Sequence, residues 1–129
     1  MPAHAYNYAL IRVVPRVERA EFINCGAVLH CHTLRYLEAC VALDADRLRA
    51  LAPGVDVEEV RTHLEAFCRI CRGESDAGPI ALLTAQERFY WLVAPRSTII
   101  QTSPLHAGVT EHPADELARV MDRLVRVAR

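Results

Sequence analysis

Two polar side chains, Arg12 and Asn24, stand inside segments that otherwise read as buried β-strand. Side chains alternate along a strand, so Arg12 shares a face with Leu10 and Val14. If residues 6–14 and 21–31 form an antiparallel hairpin with a loop centred near Glu18, Arg12 and Asn24 lie directly opposite each other on one face. The pattern therefore predicts a guanidinium beside a carboxamide on the sheet.

The guanidinium of Arg12 offers five donors, and burying it without an acceptor is costly. Glu18 and Glu21 are the nearest carboxylates in sequence, with Arg19 between them. One interpretation is an internal salt bridge that fixes the hairpin. The other is a ligand-facing site in which Arg12, Arg19, Glu21 and Asn24 bind a small anion.

A second polar stretch covers residues 95–108. Arg96, Ser97 and Thr98 could hold an anion through charge and hydroxyl donors, and Ser103 and His106 follow where a strand is expected to end. The same residue types also favour an ordinary turn between two strands, with Ser-Pro as punctuation. Both interpretations stay open.

Some of the cysteines and histidines have a spacing that could serve metal binding or thiol redox chemistry. Cys68 and Cys71 have the spacing of a zinc or dithiol pair, and His30 and His32 could complete a four-ligand site. Both cysteines, however, fall in the last turns of a periodic helix, where the helix dipole raises a thiol pKa. We predict apolar packing for the cysteines, solvent-facing or hydrogen-bonded histidines, and no metal or cofactor.

Composition limits the functional classes. The chain has 129 residues, five cysteines, a formal charge of −1, and arginine as its only basic residue apart from histidine. Its length predicts a single domain covering residues 1–129, and its charge makes nucleic acid an unexpected partner. An odd number of unevenly spaced cysteines is typical of the reducing cytoplasm. No apolar run is long enough for a membrane span, and no basic leader precedes the first apolar residues.

The strand and helix pattern predicts an α+β domain, a largely antiparallel sheet of about five strands packed against two main helices and one short helix. In the hairpin, Ile23, Cys25, Ala27 and Leu29 form one apolar face, and Gly26 lies beside Leu10 with room above the sheet. The other predicted strands are at 36–43, 88–94 and 98–102, and a short helix is predicted at 47–51. A longer helix runs from Asp56 to Gly73, and its predicted inward face consists of Val57, Val60, Leu64, Phe67 and Cys71. The last helix begins at Pro113, and its predicted inward face consists of Leu117, Val120, Met121, Leu124 and Ala128.

The N-terminal hairpin resembles a family of small bacterial proteins catalogued as domain of unknown function 3037. The likeness rests on two motifs, Tyr8-x-x-x-Arg12-x-Val-Pro15 and Arg19-x-Glu21-Phe-x-Asn24-x-Gly26, with looser matches at 88–89 and 103–108. Ala20 stands where the family pattern has glycine, and the run 30–32 also departs from it. The resemblance implies a small globular fold without an assigned activity, and an association with HipA-like kinases.

The sequence contains no complete catalytic motif, and whether the chain is an enzyme stays open. We predict first a non-enzymatic accessory or regulatory module that binds a protein partner, with a HipA-like kinase as one candidate and a homodimer as another. The alternative is a protein that binds, or acts on, a small anionic or nucleotide-like ligand through an arginine-lined polar cleft.

Overall fold

The computed structural model describes residues 2–126 as a five-stranded antiparallel sheet with helices packed on both faces. The strand order is β3-β2-β1-β4, and β5 pairs with the other end of β1 beside β4. The strands are β1 (His4–Val13), β2 (Ile23–Cys31), β3 (Tyr36–Val41), β4 (Ile100–Thr102) and β5 (His106–Thr110), and the helices are α1 (Ala45–Leu51), α2 (Val57–Arg72), α3 (Ala85–Leu92) and α4 (Pro113–Val120). The predicted α+β class and largely antiparallel sheet are confirmed.

The β1–β2 hairpin has the predicted register next to its connection, up to the pair Arg12 and Asn24. Arg12 is the direct cross-strand partner of Asn24, so the connection is centred on Glu18. A 3₁₀ turn, Val17–Arg19, forms that connection, and Ala20 ends it in the left-handed conformation with φ of 58°. This backbone conformation explains why glycine would suit position 20.

A β-bulge changes which residues of β2 share a face. Ile11 pairs with Gly26 and Arg12 pairs with Asn24, so Cys25 is the extra residue. Cys25 therefore stays on the face of Ile23, whereas Ala27 turns to the other face. The predicted single apolar set along β2 was wrong beyond Cys25, because strict alternation cannot reveal an inserted residue.

The space beside Gly26, which we predicted to be open, is filled by closely packed neighbours. A Cβ atom at this position would lie 2.5 Å from the carbonyl oxygen of Cys40 and 3.2 Å from Cδ1 of Ile11. Gly26 pairs with Ile11, not with Leu10 as we predicted. Only a residue without a side chain allows β3 to approach β2 this closely.

Two apolar clusters lie on opposite faces of the sheet. The larger cluster packs the side of Ala9, Ile11 and Val13 against α1, α2 and α3. The smaller cluster packs the side of Leu10 and Leu29 against α4 and the turn that follows it. Arg12 and Asn24 project on the side of the smaller cluster, since they alternate with Ile11 and Val13.

Helix α2 follows the predicted pattern. Asp56 accepts a hydrogen bond from the backbone N–H of Glu59 at 3.1 Å, and Gly73 ends the helix with φ of 71°. All five residues of the predicted inward stripe are buried. The helix α1 begins two residues earlier than predicted, at Ala45, because Asp44 caps it.

The segment predicted as a strand at 88–94 is the helix α3. Thr84 and Glu87 form a reciprocal capping box at its start, and Phe89 and Leu92, three residues apart, are its buried residues. The prediction was wrong because the run of aromatic and aliphatic residues hid the helical spacing. The Thr-x-x-Glu signature was the signal that could have identified this helix.

The fifth strand is β5, which the sequence pattern did not indicate. The region 98–102 contributes only Ile100–Thr102, and β3 ends at Val41. His106–Thr110 then pairs with His4–Tyr8 of β1. Small and polar residues give β5 little intrinsic strand preference, so its pairing with β1 determines its conformation.

The C-terminal helix begins at Pro113 as predicted and then widens. After Val120, the segment Met121–Val125 forms a π-helix, with the N–H of Arg126 bonded to the carbonyl of Met121 at 2.9 Å. The changed periodicity leaves Leu124 43% exposed, although we predicted it to face inward. Ala128, also predicted on that face, lies outside the described residues.

Within residues 2–126, no helix combines the length and the apolar character that crossing a bilayer requires.

Candidate functional site

The residues predicted to bind a ligand do not meet in one cleft. Arg12 and Asn24 lie beneath the π-helix, Arg19 and Glu21 lie at the hairpin connection, and Ser103 is buried in the sheet. Arg96 and Thr98 line a groove beside α2, whereas His106 lines another groove beside α4. Ser97 is exposed in the turn before β4.

Among the described residues, Arg12 contacts an aromatic ring and no carboxylate. Its guanidinium carbon lies 4.0 Å from the centroid of the Phe22 ring. Asn24 donates to the carbonyl oxygen of Leu124 in the π-helix at 3.3 Å. The Arg12 Nε and Asn24 Oδ1 atoms are buried without a hydrogen-bond partner among the described residues. This region therefore contains an incompletely satisfied polar pair.

The internal salt bridge, which was one of the two interpretations for Arg12, does not form within residues 2–126. Glu18 pairs with Arg16 at 2.9 Å, and Glu21 pairs with Arg19 at 2.5 Å. A hydrogen bond from its own backbone N–H, followed by the hydrogen bond from Arg16, lowers the pKa of Glu18, and the hydrogen bond from Arg19 is the chief cause that lowers the pKa of Glu21. Both carboxylates therefore contact other arginines instead of Arg12.

Arg19 and Glu21 line a groove of about 650 Å³ between the hairpin connection and the α1–α2 connection, residues 50–55. It is larger than the grooves near Arg96 and His106, which have volumes of about 250 and 410 Å³. Its arginines, however, are already paired with carboxylates, so its net charge offers little attraction for an anion. Its walls are mainly connecting loops.

Arg96 caps the end of α3. Its Nε donates to the carbonyl of Ala94 at 3.3 Å, its Nη2 donates to the carbonyl of Trp91, and its guanidinium lies 4.4 Å from the Trp91 ring centroid. A cation at this end of a helix interacts favourably with the helix dipole. Arg96 therefore has a structural role that the sequence did not indicate.

The groove below Trp91 and Arg96 has a volume of about 250 Å³ and a mainly apolar floor. Thr98 is at its edge, but its hydroxyl donates to the carbonyl of Ile100 at 2.8 Å. The residues that form the groove are His63, Ala66, Phe67, Ile70, Trp91, Leu92, Arg96, Thr98, Ile99, Ile100 and Thr102.

Ser103 completes the sheet where β4 ends. The N–H of Leu10 donates to Ser103 Oγ at 2.8 Å, and the N–H of Ser103 donates to the carbonyl of Leu10 at 2.9 Å. Pro104, which follows, lacks an N–H for continued strand pairing. The hydroxyl takes the place of a backbone acceptor, which gives this buried serine a structural use.

His106 lies in a polar groove of about 410 Å³ between β1, β5 and α4. Its ring stacks on Tyr8 with centroids 5.0 Å apart and an angle of 22° between the planes. We name this region the His106 groove. It is lined by Tyr6, Tyr8, His106, Ala107, Glu116, Arg119, Val120, Arg123 and Leu124.

Glu116 is fixed at the wall of the His106 groove by two neighbours. The Tyr6 hydroxyl donates to Glu116 Oε1 at 2.8 Å, and Arg119 Nη1 lies 3.3 Å from Glu116 Oε2. Burial, followed by the hydrogen bond to Glu116, raises the pKa of Tyr6 to about 12. Tyr6 therefore stays a neutral donor over the physiological range.

Sequence reasoning missed most of this groove, although signals existed. Tyr6 and Tyr8 are two apart on a strand and so share a face. Glu116, Arg119 and Arg123 are spaced by three and four residues, the spacing of one helix face. Nothing in the sequence, however, shows that this helix face lies against that strand.

The cysteines and the buried histidine have the environment of core residues. Burial raises the pKa of both Cys25 and Cys71 to about 12, which disfavours thiolate chemistry. His30 is only 6% exposed, and its ring lies 4.9 Å from that of Phe89, so the first of the two predicted alternatives, a solvent-facing or a hydrogen-bonded side chain, was wrong for this residue. Across residues 2–126, no group of three or more potential ligands is placed to hold a metal ion.

A family model described as "Protein of unknown function (DUF3037)" matches residues 8–125, which is nearly the whole chain. No curated protein and no solved structure matches the chain.

Proposed function

We propose that this chain, which belongs to the DUF3037 family of proteins of unknown function, is a non-enzymatic accessory or regulatory module that binds a protein partner. A protein partner is favoured over catalysis because the sequence contains no complete catalytic motif. The surface of α3 and of the turn before it carries the proposal.

The observation that carries this proposal is the exposure of large apolar side chains on residues 79–92. Leu82 is 69% exposed, Tyr90 50% and Trp91 39%, and Leu83 is also exposed. Large exposed apolar patches mark interaction sites on protein surfaces, and the four exposed apolar residues of this segment support such a site here. We call Leu82, Leu83, Tyr90, Trp91 and Arg96 the Trp91 surface.

The composition of the Trp91 surface also supports an interface. Tryptophan, tyrosine and arginine are the residues that most often dominate binding energy at protein interfaces. Trp91 and Tyr90 are neighbours on the outer side of α3, while Phe89 and Leu92 point into the core. Since the core residues hold α3 on the sheet, the outer aromatics are presented on a fixed support, which limits the entropy lost on binding.

The apolar groove beside Trp91 suggests the chemistry of the partner. Phe67 and Ile70 of α2 form part of its floor, and Arg96 lies at its edge. A partner segment that places an apolar side chain in this groove and an acidic side chain near Arg96 would fit both features.

The test uses the purified, tagged protein to capture partners from cells that naturally contain it. Leu82→Ser and Tyr90→Ser together should abolish capture of the specific partner, with little effect on folding because both side chains are exposed. Val109→Ser is the matched control, since Val109 is 70% exposed but lies on β5. Retention of every captured protein by the Leu82/Tyr90 variant would contradict the proposal.

Direct binding can be followed through Trp91, which is the only tryptophan of the chain. The first purified protein to test is a HipA-like kinase, because the family resemblance implies that association. We expect a blue shift of Trp91 emission on binding, as the indole leaves water. Light scattering of the protein alone measures whether a second copy occupies the same surface, in which case the Leu82/Tyr90 variant would be a monomer.

A cytoplasmic location is part of the proposal. It is supported by the five cysteines, all of them within the described residues, which are free thiols.

A further inference from the structure

We propose that the His106 groove binds a small molecule that carries both a phosphate group and a planar ring, such as a nucleoside monophosphate. This site is on the opposite side of the sheet from α3, so it does not depend on the partner proposal. Three independent features of the groove support it: its charge, its aromatic stack and its shape.

The charge of the groove favours an anion. Arg119 and Arg123 line it, and Glu116 is the carboxylate that faces them. Glu116 already accepts the Tyr6 hydroxyl and pairs with Arg119. Arg123 is exposed, and among the residues that the structure describes it forms no ion pair. One guanidinium is therefore free to make charge-assisted hydrogen bonds with phosphate oxygens.

The aromatic stack favours a planar ring beside that anion. Tyr8 and His106 are cross-strand partners on β1 and β5, and their rings are nearly parallel. His106 is exposed, whereas Tyr8 is half-buried against the smaller apolar cluster. The stack thus has one anchored member and one accessible member on which a base can lie. Stacking of this kind tolerates different bases, so the proposal names a class and not a single nucleotide.

The shape of the groove depends on Gly108. A Cβ atom there would lie 2.6 Å from the Tyr6 hydroxyl oxygen, so only glycine lets the Tyr6 ring cross β5. Tyr6 can then reach Glu116 and hold the wall of the groove in place. The volume of about 410 Å³ lies within the range of small-molecule sites.

The experiment titrates the full-length protein with four probes at constant ionic strength: AMP, ribose 5-phosphate, inorganic phosphate and adenosine. Calorimetry gives the affinities, and NMR reports the ring protons of His106 and Tyr8. We expect AMP to bind most tightly, the two phosphates without a base to bind more weakly, and adenosine to bind weakest. Equal affinity for AMP and inorganic phosphate would overturn the stacking role of His106 and Tyr8.

Two variants separate the charge from the stack. Arg123→Gln should weaken binding of AMP and phosphate alike, by about tenfold or more, because a charge-assisted hydrogen bond is lost. His106→Ala should weaken AMP by about 5- to 100-fold and leave phosphate unchanged, as expected for loss of base stacking.

Arg61→Gln is the matched control, since it removes the same charge from the exposed side of α2 and should bind all probes like the wild type. Thermal unfolding of each variant without ligand checks that the fold is kept. AMP affinity that is equal in the wild type and the Arg123→Gln variant, or no binding of AMP at millimolar concentration, would overturn the proposal.

Discussion

The two faces of the sheet differ in how their polar groups are used. On the face covered by α1, α2 and α3, the apolar cluster is continuous, and the polar side chain buried beside it is His30. On the face covered by α4, the apolar cluster is smaller and has polar groups at both ends. Arg12 and Asn24 lie at one end, and Tyr6 with Glu116 lies at the other.

This difference separates stability from recognition. On the face covered by α1, α2 and α3, truncating a residue should mainly lower the free energy of unfolding, since the cavity it leaves is surrounded by closely packed neighbours. On the face under α4, Arg119 and Arg123 are exposed to solvent, where a ligand can reach them. Substitutions on the two faces should therefore give different measurements, and the following experiments test that expectation from the largest effect to the smallest.

The largest effect is expected for truncation of a core side chain on the face covered by α1, α2 and α3. Phe89→Ala should lower the free energy of unfolding by about 3–5 kcal/mol, because Phe89 is fully buried between α3 and the sheet. Met121→Ala, at a fully buried position in the smaller apolar cluster, should cost about 2–3 kcal/mol, since a smaller cluster leaves fewer packed neighbours around the cavity. Urea unfolding followed by circular dichroism measures both. A larger loss for Met121→Ala would break the comparison of the two faces.

The buried His30, on the face covered by α1, α2 and α3, should make the stability of the protein sensitive to acid. Burial, assisted by the charge on His32, lowers the pKa of His30 below its usual 6.5. The unfolded chain therefore binds a proton more readily, and stability should fall as the pH drops from 6.5 towards the folded pKa, with no contribution from His30 at higher pH.

The measurement is the free energy of unfolding at pH 7.5 and at pH 5.5, values chosen to lie about one unit either side of an unperturbed histidine pKa. His30→Gln should reduce the difference between the two. His112→Gln is the control, because His112 is exposed and its side chain caps nothing. An unchanged difference in the His30 variant would show that other groups cause the acid sensitivity.

A smaller change in the free energy of unfolding is expected at the hairpin connection, which belongs to neither face. Ala20→Gly should raise the free energy of unfolding by about 1 kcal/mol, because φ of 58° strains a residue that has a Cβ atom. Ala52→Gly makes the same chemical change at φ of −141°, where no strain is relieved, and it should give a small loss. Similar effects at the two positions would rule out strain at Ala20.

The smallest effect is expected for Arg12→Met. No ion pair within residues 2–126 involves Arg12, so the substitution removes a ring contact with Phe22 and also a buried, unpartnered Nε atom. These contributions oppose each other, and the free energy of unfolding should change by less than about 1 kcal/mol. A loss of several kcal/mol in the same urea unfolding measurement would show that Arg12 supports the α4 face more strongly than its contacts indicate.

Part of the candidate site could be predicted from the sequence. The pairing of Arg12 with Asn24 followed from alternation and loop centring, and His106 was selected by residue type. The role of Arg96 as a helix cap could not be predicted, because the segment before it was interpreted as a strand. The ligand-binding roles of Arg12, Arg19, Glu21, Asn24, Arg96, Ser97, Thr98, Ser103 and His106 stay predictions.

By itself, the sequence determined the features that depend on near neighbours. Asp56, Glu59 and Gly73 determined both ends of α2, and alternation around Glu18 determined the pairing of Arg12 with Asn24. Tertiary structure alone decided the bulge at Cys25, the strand β5 and the contact between Tyr6 and Glu116, which are 110 positions apart. The physical reason is range: capping and periodicity act within a few residues, whereas these contacts exist only after the helices have packed against the sheet.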